Sequence, residues 1–208
     1  MYIPRTFRMP PDESLRFINE HPFAILVSTT AAGEPAATHL PLIAAEPGRI
    51  VGHMARANPH WHQLDGARVL AVFTGPHAYI APQWYGGMPN VPTWNYLAVH
   101  VTGTCRLLPE GPATLQLLQD LSRFMEPDSP IPEALQNADH PDHAFYRAEV
   151  PAIVGFEITV DRIEGKAKLG QNRPEADREG AAAGLSAEGG ADADAIARQM
   201  RNTLKDVP

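Results

Sequence analysis

The sequence predicts a mainly β fold of the α+β class, built from short antiparallel strands with flanking helices. Proline supplies 21 of the 208 residues, about twice its usual share, and proline interrupts both long helices and central strands. Short apolar runs alternate with turn-forming residues, and no long helical crossover separates them. The first two runs, residues 23–28 and 36–42, flank a turn that contains glycine and proline, and they therefore predict a β-hairpin.

The first half of the chain combines one helix with further strands. Prolines and acidic residues at 10–13 begin the helix, and Leu15 and Ile18 lie on its apolar face. After the hairpin, we predict strands at residues 50–54 and 68–74. Asn58 and Pro59 open a short helical turn between these two strands.

The second half adds two long strands. A short β segment at 78–80 is bracketed by prolines and precedes an irregular loop at 84–92. The next strand, residues 93–108, bends at Gly103, and residues 152–160 form the last core strand.

Three helices are predicted in the second half. The helix at 111–124 places apolar residues three and four apart. These residues are Leu115, Leu118, Leu121 and Met125. Beyond Ile163 the composition changes, and helices are predicted at 175–185 and 192–205.

Composition and charge limit the function classes. The chain has 17 basic and 24 acidic residues, a net charge of -7, which argues against direct DNA binding because phosphate contact needs a basic surface. The single cysteine, Cys105, excludes an intrachain disulfide and a multi-cysteine zinc site. No run approaches the roughly 20 apolar residues of a membrane span, and the N-terminus does not resemble a leader. We expect a cytoplasmic protein without a membrane partner.

The strongest candidate for anion binding lies where the third strand leads into the helical turn. His53 belongs to the strand, and Arg56 and Asn58 follow it. Such a strand end presents backbone N–H groups, Arg56 can make two parallel hydrogen bonds, and Asn58 can donate, which together suit a phosphomonoester. The alternative is that Asn58 only caps the turn and that Arg56 is a solvated charge.

Five histidines raise the question of a metal site. They are His39, His53, His60, His62 and His100. His60 and His62 have a spacing seen in some β-barrel metal sites, but the carboxylate expected nearby is missing. Because hydrogen bonds satisfy most isolated strand histidines, we predict no metal.

Two further groups suit a flat, charged ligand. Trp61 and the aromatic residues in 84–96 could stack on a planar ring, although ordinary packing is the alternative. The segment 166–173 joins lysine, amide and arginine side chains that could complete a phosphate site or contact nucleic acid. There is no nucleophile elbow, dinucleotide-binding glycine motif or Walker loop, so hydrolase and nucleotide-fold classes have no support.

These segments together resemble the PaiB-like family of FMN-binding split-barrel proteins, which are described as negative transcriptional regulators. The motifs occur in one order over nearly the whole chain. They are MYIP at 1–4, HPFA at 21–24, ATHLP at 37–41, GHMARANP at 52–59, GPHAYI at 75–80, VPTWNY at 91–96, GF at 155–156, IEGK at 163–166 and KLGQNR at 168–173. The family usually has serine where this chain has Gly170.

The resemblance implies a six-stranded antiparallel split β-barrel, which we assign to residues 1–173, and the composition and helical spacing of the remaining residues indicate a C-terminal helical extension over 174–208. It also implies a homodimer that holds FMN at its interface. Arg56 and Asn58 would bind the phosphate, and the strand around Thr38, His39 and Leu40 would run along the isoalloxazine ring. The other candidate cofactor-binding residues are His53, Trp94, Lys168, Gln171 and Asn172. This assignment suits FMN, because its phosphate needs several donors and its ring needs apolar faces.

Two functions are consistent with these observations. In the first, the protein is a negative transcriptional regulator that senses flavin or redox state and acts through a regulatory protein partner. In the second, it is an FMN-dependent oxidoreductase of the flavin reductase or oxidase type, and the loop at 84–92 admits a small substrate. The resemblance favours regulation, whereas fold analogy favours redox chemistry. A histidine-ligated metal or haem site is a third, weaker alternative, and the sequence identifies no catalytic residue.

Overall fold

The computed structural model describes residues 1–87 and 89–205. Its six strands are β1 (Phe23–Thr29), β2 (Pro35–Glu46), β3 (Arg49–Ala55), β4 (Arg68–Ile80), β5 (Thr93–Leu107) and β6 (Ile153–Lys168). Its six α-helices are α1 (Pro11–Glu20), α2 (Pro112–Met125), α3 (Ile131–Gln136), α4 (His143–Glu149), α5 (Glu175–Glu188) and α6 (Ala191–Lys205). In the described part of the chain, no helix has the length and apolar character needed to cross a membrane.

The strands close into a barrel in the order β1-β2-β3-β6-β5-β4. β1 and β2 form the predicted hairpin and pair antiparallel from Phe23 opposite Pro41 to Thr29 opposite Pro35. β1 also pairs antiparallel with β4, and β3 pairs antiparallel with β2 and β6. The prediction of a mainly β, six-stranded antiparallel fold is therefore confirmed.

Three strands are longer than their sequence patterns indicate. β2 continues to Glu46, beyond the predicted end at residue 42. We expected Gly75 and Pro76 to end a strand, but β4 continues through them to Ile80. Proline fixes an extended φ and removes only one donor, so a strand can accommodate it where that donor is not needed. β6 likewise continues to Lys168, well beyond the predicted end at residue 160.

Two short helices escaped prediction. α3 and α4 have six and seven residues, too few to show a helical period in the sequence. Pro132 lies in the first turn of α3, where a missing N–H costs no hydrogen bond. Ala134 and Leu135 are buried and fix the position of α3.

The chain divides into two compact units. The first comprises residues 1–17, 74–100 and the described residues from 164 onward, and the second comprises residues 18–73 and 101–163. The boundary that we predicted at residue 173 remains a prediction about domain organisation.

The second unit has a core on each face of its sheet. Alternate residues such as Leu26, Leu42 and Phe156 are fully buried on the inner face. On the outer face, Ile43 and Val51 pack against the apolar side of α2. The α2 residues in this outer core are Leu117 and Leu121, with Phe124 partly buried beside them. The residues of the predicted apolar face of α2 are not all buried: Met125 is exposed and Leu115 is only half-buried. The side of the helix that is buried is shifted by about one residue from the predicted side.

In the first unit, α5 and α6 pack against each other as the predicted helical pair. Leu185, Ile196 and Met200 are almost fully buried between them. Gly180 and Gly184 let α5 approach Trp84 closely, since a Cβ at Gly184 would lie 2.3 Å from the indole ring. This contact fixes one end of the loop that follows β4.

Candidate functional site

A buried histidine organises the polar residues at one end of β1 and β2. His60 lies in a short 3₁₀ helix after β3, and its side chain is almost completely buried. Its Nε2 atom lies 2.9 Å from Ser28 Oγ, and its Nδ1 atom lies 2.8 Å from Thr38 Oγ1. Burial lowers the pKa of His60, so the imidazole is neutral at pH 7. Both ring nitrogens are thus hydrogen-bonded to hydroxyl groups.

Asn58 connects this network to the backbone of the 3₁₀ helix. Its Oδ1 atom accepts a 3.0 Å hydrogen bond from the backbone N–H of His60, as expected of a helix cap. Its Nδ2 atom donates to Thr38 Oγ1 at 3.1 Å. Both ends of the Asn58 amide therefore have protein partners, which supports the capping alternative. Its role as a phosphate ligand stays a prediction.

Arg56 is anchored to the start of β6. Its Nε atom donates to the carbonyl of Pro151 at 2.7 Å, and Nη2 donates to the carbonyl of Ile153 at 3.0 Å. Nη2 also forms a 2.8 Å ion pair with Glu110. Within the described part of the chain, Nη1 makes no hydrogen bond, so its two N–H groups remain for a ligand oxygen. Arg56 is thus partly held by protein groups, through Nε and Nη2, and keeps Nη1 for a ligand.

The three consecutive ring-contact candidates on β2 face opposite sides of the sheet. Thr38 and Leu40 lie opposite Leu26 and Ala24 and point to the inner face, whereas His39 is exposed on the outer face. The ring of His39 lies 6.2 Å from that of Phe23. A ligand on the outer face would therefore meet the side chain of His39 alone among the three.

Beside these residues, the edge of β2 that faces β3 has no paired strand among the described residues. We call this the open edge of β2. β2 pairs with β1 over residues 35–41, but its ladder with β3 begins only at Leu42 opposite Gly52. The N–H of Leu42 donates toward β1, and since these groups alternate along a strand, those of His39 and Ala37 point to the open edge. Unpaired main-chain donors and acceptors at such an edge can bind the polar rim of a heterocycle.

His53 lies next to this opening. It stands between Gly52, whose Cβ position meets the inner core, and Met54, so its own side chain points outward. Its Nδ1 atom is buried and has no hydrogen-bond partner, and burial lowers the pKa of the ring. A buried polar atom without a partner is costly unless a ligand or water satisfies it. The open edge and this atom fit a ligand that carries both hydrogen-bonding groups and a flat ring.

The remaining candidates lie in the first unit, around the end of β6. Lys168 Nζ donates to Thr93 Oγ1 and to the backbone carbonyl of Trp94. Burial, and then the charge of Lys166, lowers the pKa of Lys168. The Trp94 side chain is 52% exposed. These contacts hold the indole at the surface, where it can stack on a planar group.

A cavity of about 300 Å³ lies beside Trp94. His77 and Tyr96 also line it, and the ring of Tyr79 contacts Trp94 edge-on with 6.1 Å between centroids. Three rings, those of His77, Trp94 and Tyr96, therefore form part of the cavity wall.

Gln171 has a structural role. Its Oε1 atom accepts from the N–H of Leu169, and its Nε2 atom donates to the carbonyl of Ala167, so it closes the turn after β6. Gly170 in this turn has φ 82°, a conformation that favours glycine over the serine typical of the family. Asn172 is exposed at the end of the turn.

The loop after β4 is attached to α5. The N–H of Gly86 donates to Asp177, and the guanidinium of Arg173 stacks 4.0 Å above Tyr85 and donates to Asn90 at 2.7 Å. Tyr85 is buried. The sequence analysis read this loop as an entrance for substrate and missed its attachment, because the contacts join positions more than 80 residues apart.

The structure thus forms two groups of the predicted residues. Thr38 and Asn58 share one hydrogen-bond network, and Trp94 and Lys168 share another. The sequence analysis missed Ser28, which looked like an ordinary strand end, and treated His60 only as a metal candidate. No cluster of three or more His, Cys, Asp or Glu residues suited to a metal occurs over residues 1–87 and 89–205.

Comparison with known proteins identifies the family. The family described as "Putative FMN-binding domain" matches residues 1–162. The chain belongs to this FMN-binding family. It is 36% identical to "Protease synthase and sporulation protein PAI 2" of Bacillus subtilis, over 99% of both chains. The resemblance to PaiB-like proteins is therefore confirmed.

Solved structures confirm the fold of this FMN-binding protein. An FAD- and haem-binding protein of Mycobacterium smegmatis matches with a TM-score of 0.61 at 16% identity, over 88% of this chain and 80% of that one. A flavocytochrome of Azotobacter vinelandii matches with a TM-score of 0.60 at 15% identity, over 80% of this chain and 72% of that one. The family assignment also supports FMN as the cofactor.

Proposed function

We propose that this FMN-binding protein is a homodimeric sensor of flavin or redox state that acts in negative transcriptional regulation. Family membership and the relative of Bacillus subtilis support the assignment. The observation that carries the flavin site is the buried, unpartnered Nδ1 atom of His53 beside the open edge of β2. An atom in this position gains a hydrogen bond when a heterocycle lies along the edge.

We place the flavin ring on the outer face of the sheet at that edge. His39 supplies an exposed side chain there, and the main chain of β2 supplies donors and acceptors for the ring rim. Arg56 binds the phosphate through its Nη1 atom. Thr38, Leu40 and Asn58 act indirectly, because they hold the shape of β2 and of the turn that carries Arg56. Bound FMN supplies reversible redox chemistry, while these residues bind and orient it.

Trp94, Lys168, Gln171 and Asn172 lie in the first unit, and their contact with the flavin stays a prediction. Trp94 is the best of the four for stacking, because its ring is exposed and its backbone is held by Lys168. The side chain of Gln171 is committed to the turn after β6, so it acts through the backbone geometry of that turn.

The proposed homodimer has a suitable surface on β1 and β4. Ile25, Val27, Leu70 and Val72 lie on the outer face of these strands and are only half-buried, and Phe23 is exposed. A continuous apolar sheet face of this kind is typical of an interaction surface. We propose that a second copy of the chain covers it.

Titration with FMN tests the phosphate assignment. We expect Arg56→Ala to weaken FMN binding more than tenfold, because the phosphate would lose a charged donor. Arg49→Ala is the matched control, since Arg49 also holds two protein partners but lies at the other end of β3. Thermal unfolding of both variants separates lost affinity from lost stability. Equal FMN affinity in Arg56→Ala and in the control would contradict the assignment.

An FMN-dependent oxidoreductase is the second candidate. The aromatic cavity beside Trp94 favours it, because a small planar substrate could bind there. The attachment of the loop at 84–92 to α5 argues against the substrate entrance that the sequence suggested. Anaerobic addition of NAD(P)H to the FMN-loaded protein separates the two functions. Bleaching of the flavin within seconds would support an enzyme, and persistent flavin absorbance with tight binding would support a sensor.

The route to transcription is the last part of the proposal. The acidic net charge of -7 leads us to propose action through a regulatory protein partner and not through DNA. A mobility shift that survives moderate salt would contradict this expectation.

A further inference from the structure

A second cavity, of about 450 Å³, lies in the second unit beneath the beginning of α2. This volume falls in the range of pockets that bind small molecules. The open edge of β2 belongs to a different strand pair, and neither His39 nor His53 lines the cavity. Arg56, the phosphate ligand proposed above, forms part of the cavity wall, but the proposed position of the flavin ring leaves the interior of the cavity without a role.

The wall of the cavity is mostly apolar and incompletely buried. Leu107, Leu108, Leu115, Val150 and Ile153 line it, and each keeps part of its side chain accessible. The ring of Trp61 adds a flat aromatic side, held by a 2.9 Å hydrogen bond from its Nε1 atom to the carbonyl of Arg56. Covering these side chains with an apolar molecule would be favourable.

The charged residues of the cavity define the head group of such a molecule. Arg56, Arg147 and Glu110 are its charged lining residues, which leaves one positive charge in excess. Glu110 is already paired with Arg56 at 2.8 Å. Within the described residues, the guanidinium of Arg147 has no hydrogen-bond or ion-pair partner. A ligand with a single negative charge would therefore balance the site at Arg147.

We propose that this cavity binds an apolar carboxylic acid, with its carboxylate on Arg147 and its apolar body against Trp61 and the leucines. A carboxylate matches the planar, two-pronged donor geometry of a guanidinium. The pair of Arg56 and Glu110 stays intact and forms part of the wall. The protein then has an effector site for a small amphipathic acid, which borders the flavin site at Arg56 but takes its carboxylate at Arg147.

Titration calorimetry with decanoate tests the proposal, with decanol as the uncharged probe of equal length. We expect decanoate to bind at least tenfold more tightly than decanol. The affinity for 1-naphthoate is measured in parallel. Tighter binding of 1-naphthoate than of decanoate would indicate that the apolar part of the ligand is aromatic, and the reverse order would indicate an alkyl chain. Equal affinities for decanoate and decanol, or no binding of either acid, would overturn the proposal.

Two variants locate the ligand. Arg147→Gln should weaken acid binding at least tenfold, whereas Arg123→Gln, on α2 outside the cavity, should leave it unchanged. Leu115→Trp fills the cavity and should abolish acid binding while FMN binding and thermal unfolding remain close to those of the original protein. Unchanged acid affinity in Arg147→Gln would overturn the proposal. Displacement of decanoate by one equivalent of FMN would also overturn it, because the cavity would then belong to the flavin site.

Discussion

At the scale of single residues, the best-defined feature is the hydrogen-bond network around His60. Its ring bridges Ser28 on β1 and Thr38 on β2, and Asn58 adds a contact from the turn. These groups are buried or half-buried, so each lost partner leaves a polar atom without hydrogen bonds. The network therefore contributes to stability and keeps the turn that carries Arg56 in place.

We predict that His60→Ala lowers the free energy of unfolding by about 2 kcal/mol, the typical cost of breaking a buried network of this size. Urea denaturation at pH 7.5 measures this change in the free energy of unfolding. His62→Ala is the control, because His62 is exposed and its ring lies against that of Trp61, outside the His60 network. An equal loss of unfolding free energy in His60→Ala and His62→Ala would show that the hydrogen bonds of His60 do not stabilise the protein.

The same histidine makes stability depend on pH. In the unfolded chain, His60 binds a proton below about pH 6.5, whereas burial holds its pKa lower in the folded protein. Acidification therefore favours the unfolded state, and stability present above pH 6.5 is lost as the pH falls toward the folded-state pKa. Urea denaturation between pH 7.5 and 5 should show this loss, and the loss should be smaller in His60→Gln. A parallel decline in both proteins would contradict the prediction.

At the scale of elements, the contact of Trp84 with α5 depends on two glycines. A Cβ at Gly180 would lie 2.3 Å from the backbone oxygen of Trp84, and one at Gly184 would overlap the indole ring. Glycine weakens a helix interior by about 1 kcal/mol relative to alanine. α5 keeps both glycines because the packing with the loop requires a close approach.

We therefore predict that Gly184→Ala destabilises the protein by roughly 1 to 2 kcal/mol, even though alanine favours the helix, because overpacking costs more than the helix gains. In the background of Trp84→Ala the same substitution should be neutral or stabilising, since its obstacle is gone. Denaturant unfolding of the four proteins in this cycle gives the coupling. Additive effects would show that Gly184 and Trp84 do not meet.

At the scale of the whole molecule, the proposed homodimer depends on the apolar outer face of β1 and β4. We predict that Val27→Glu, on this face, weakens the homodimer at least tenfold and lowers FMN affinity with it. Phe145→Glu is the control, because Phe145 is an exposed apolar residue outside this face, on α4. Sedimentation equilibrium and FMN titration measure both effects. A Val27→Glu protein that stays dimeric and keeps its FMN affinity would contradict the prediction.

The fold was largely predictable because its signals are local. Turn residues and short apolar runs located all six strands, and the spacing of Ile196 and Met200 located α6. α3 and α4 were not predictable, because helices of six and seven residues show too little periodicity. Three strand ends also differed from the prediction, because β2 continues to Glu46, β4 continues through Pro76 and β6 continues beyond Val160. Such extensions depend on pairing with neighbouring strands, which a local pattern does not show.

The sequence by itself determined the family and the strand-rich architecture, and it supplied a set of candidate flavin-binding residues, since these follow from ordered motifs and local patterns. Only the tertiary structure decided which of those residues are available to a ligand. It committed Asn58 and Gln171 to backbone hydrogen bonds, turned Thr38 inward, and left the Nδ1 atom of His53 without a partner. The physical reason is that hydrogen-bond saturation and strand facing depend on partners far away in the chain, which no local pattern records.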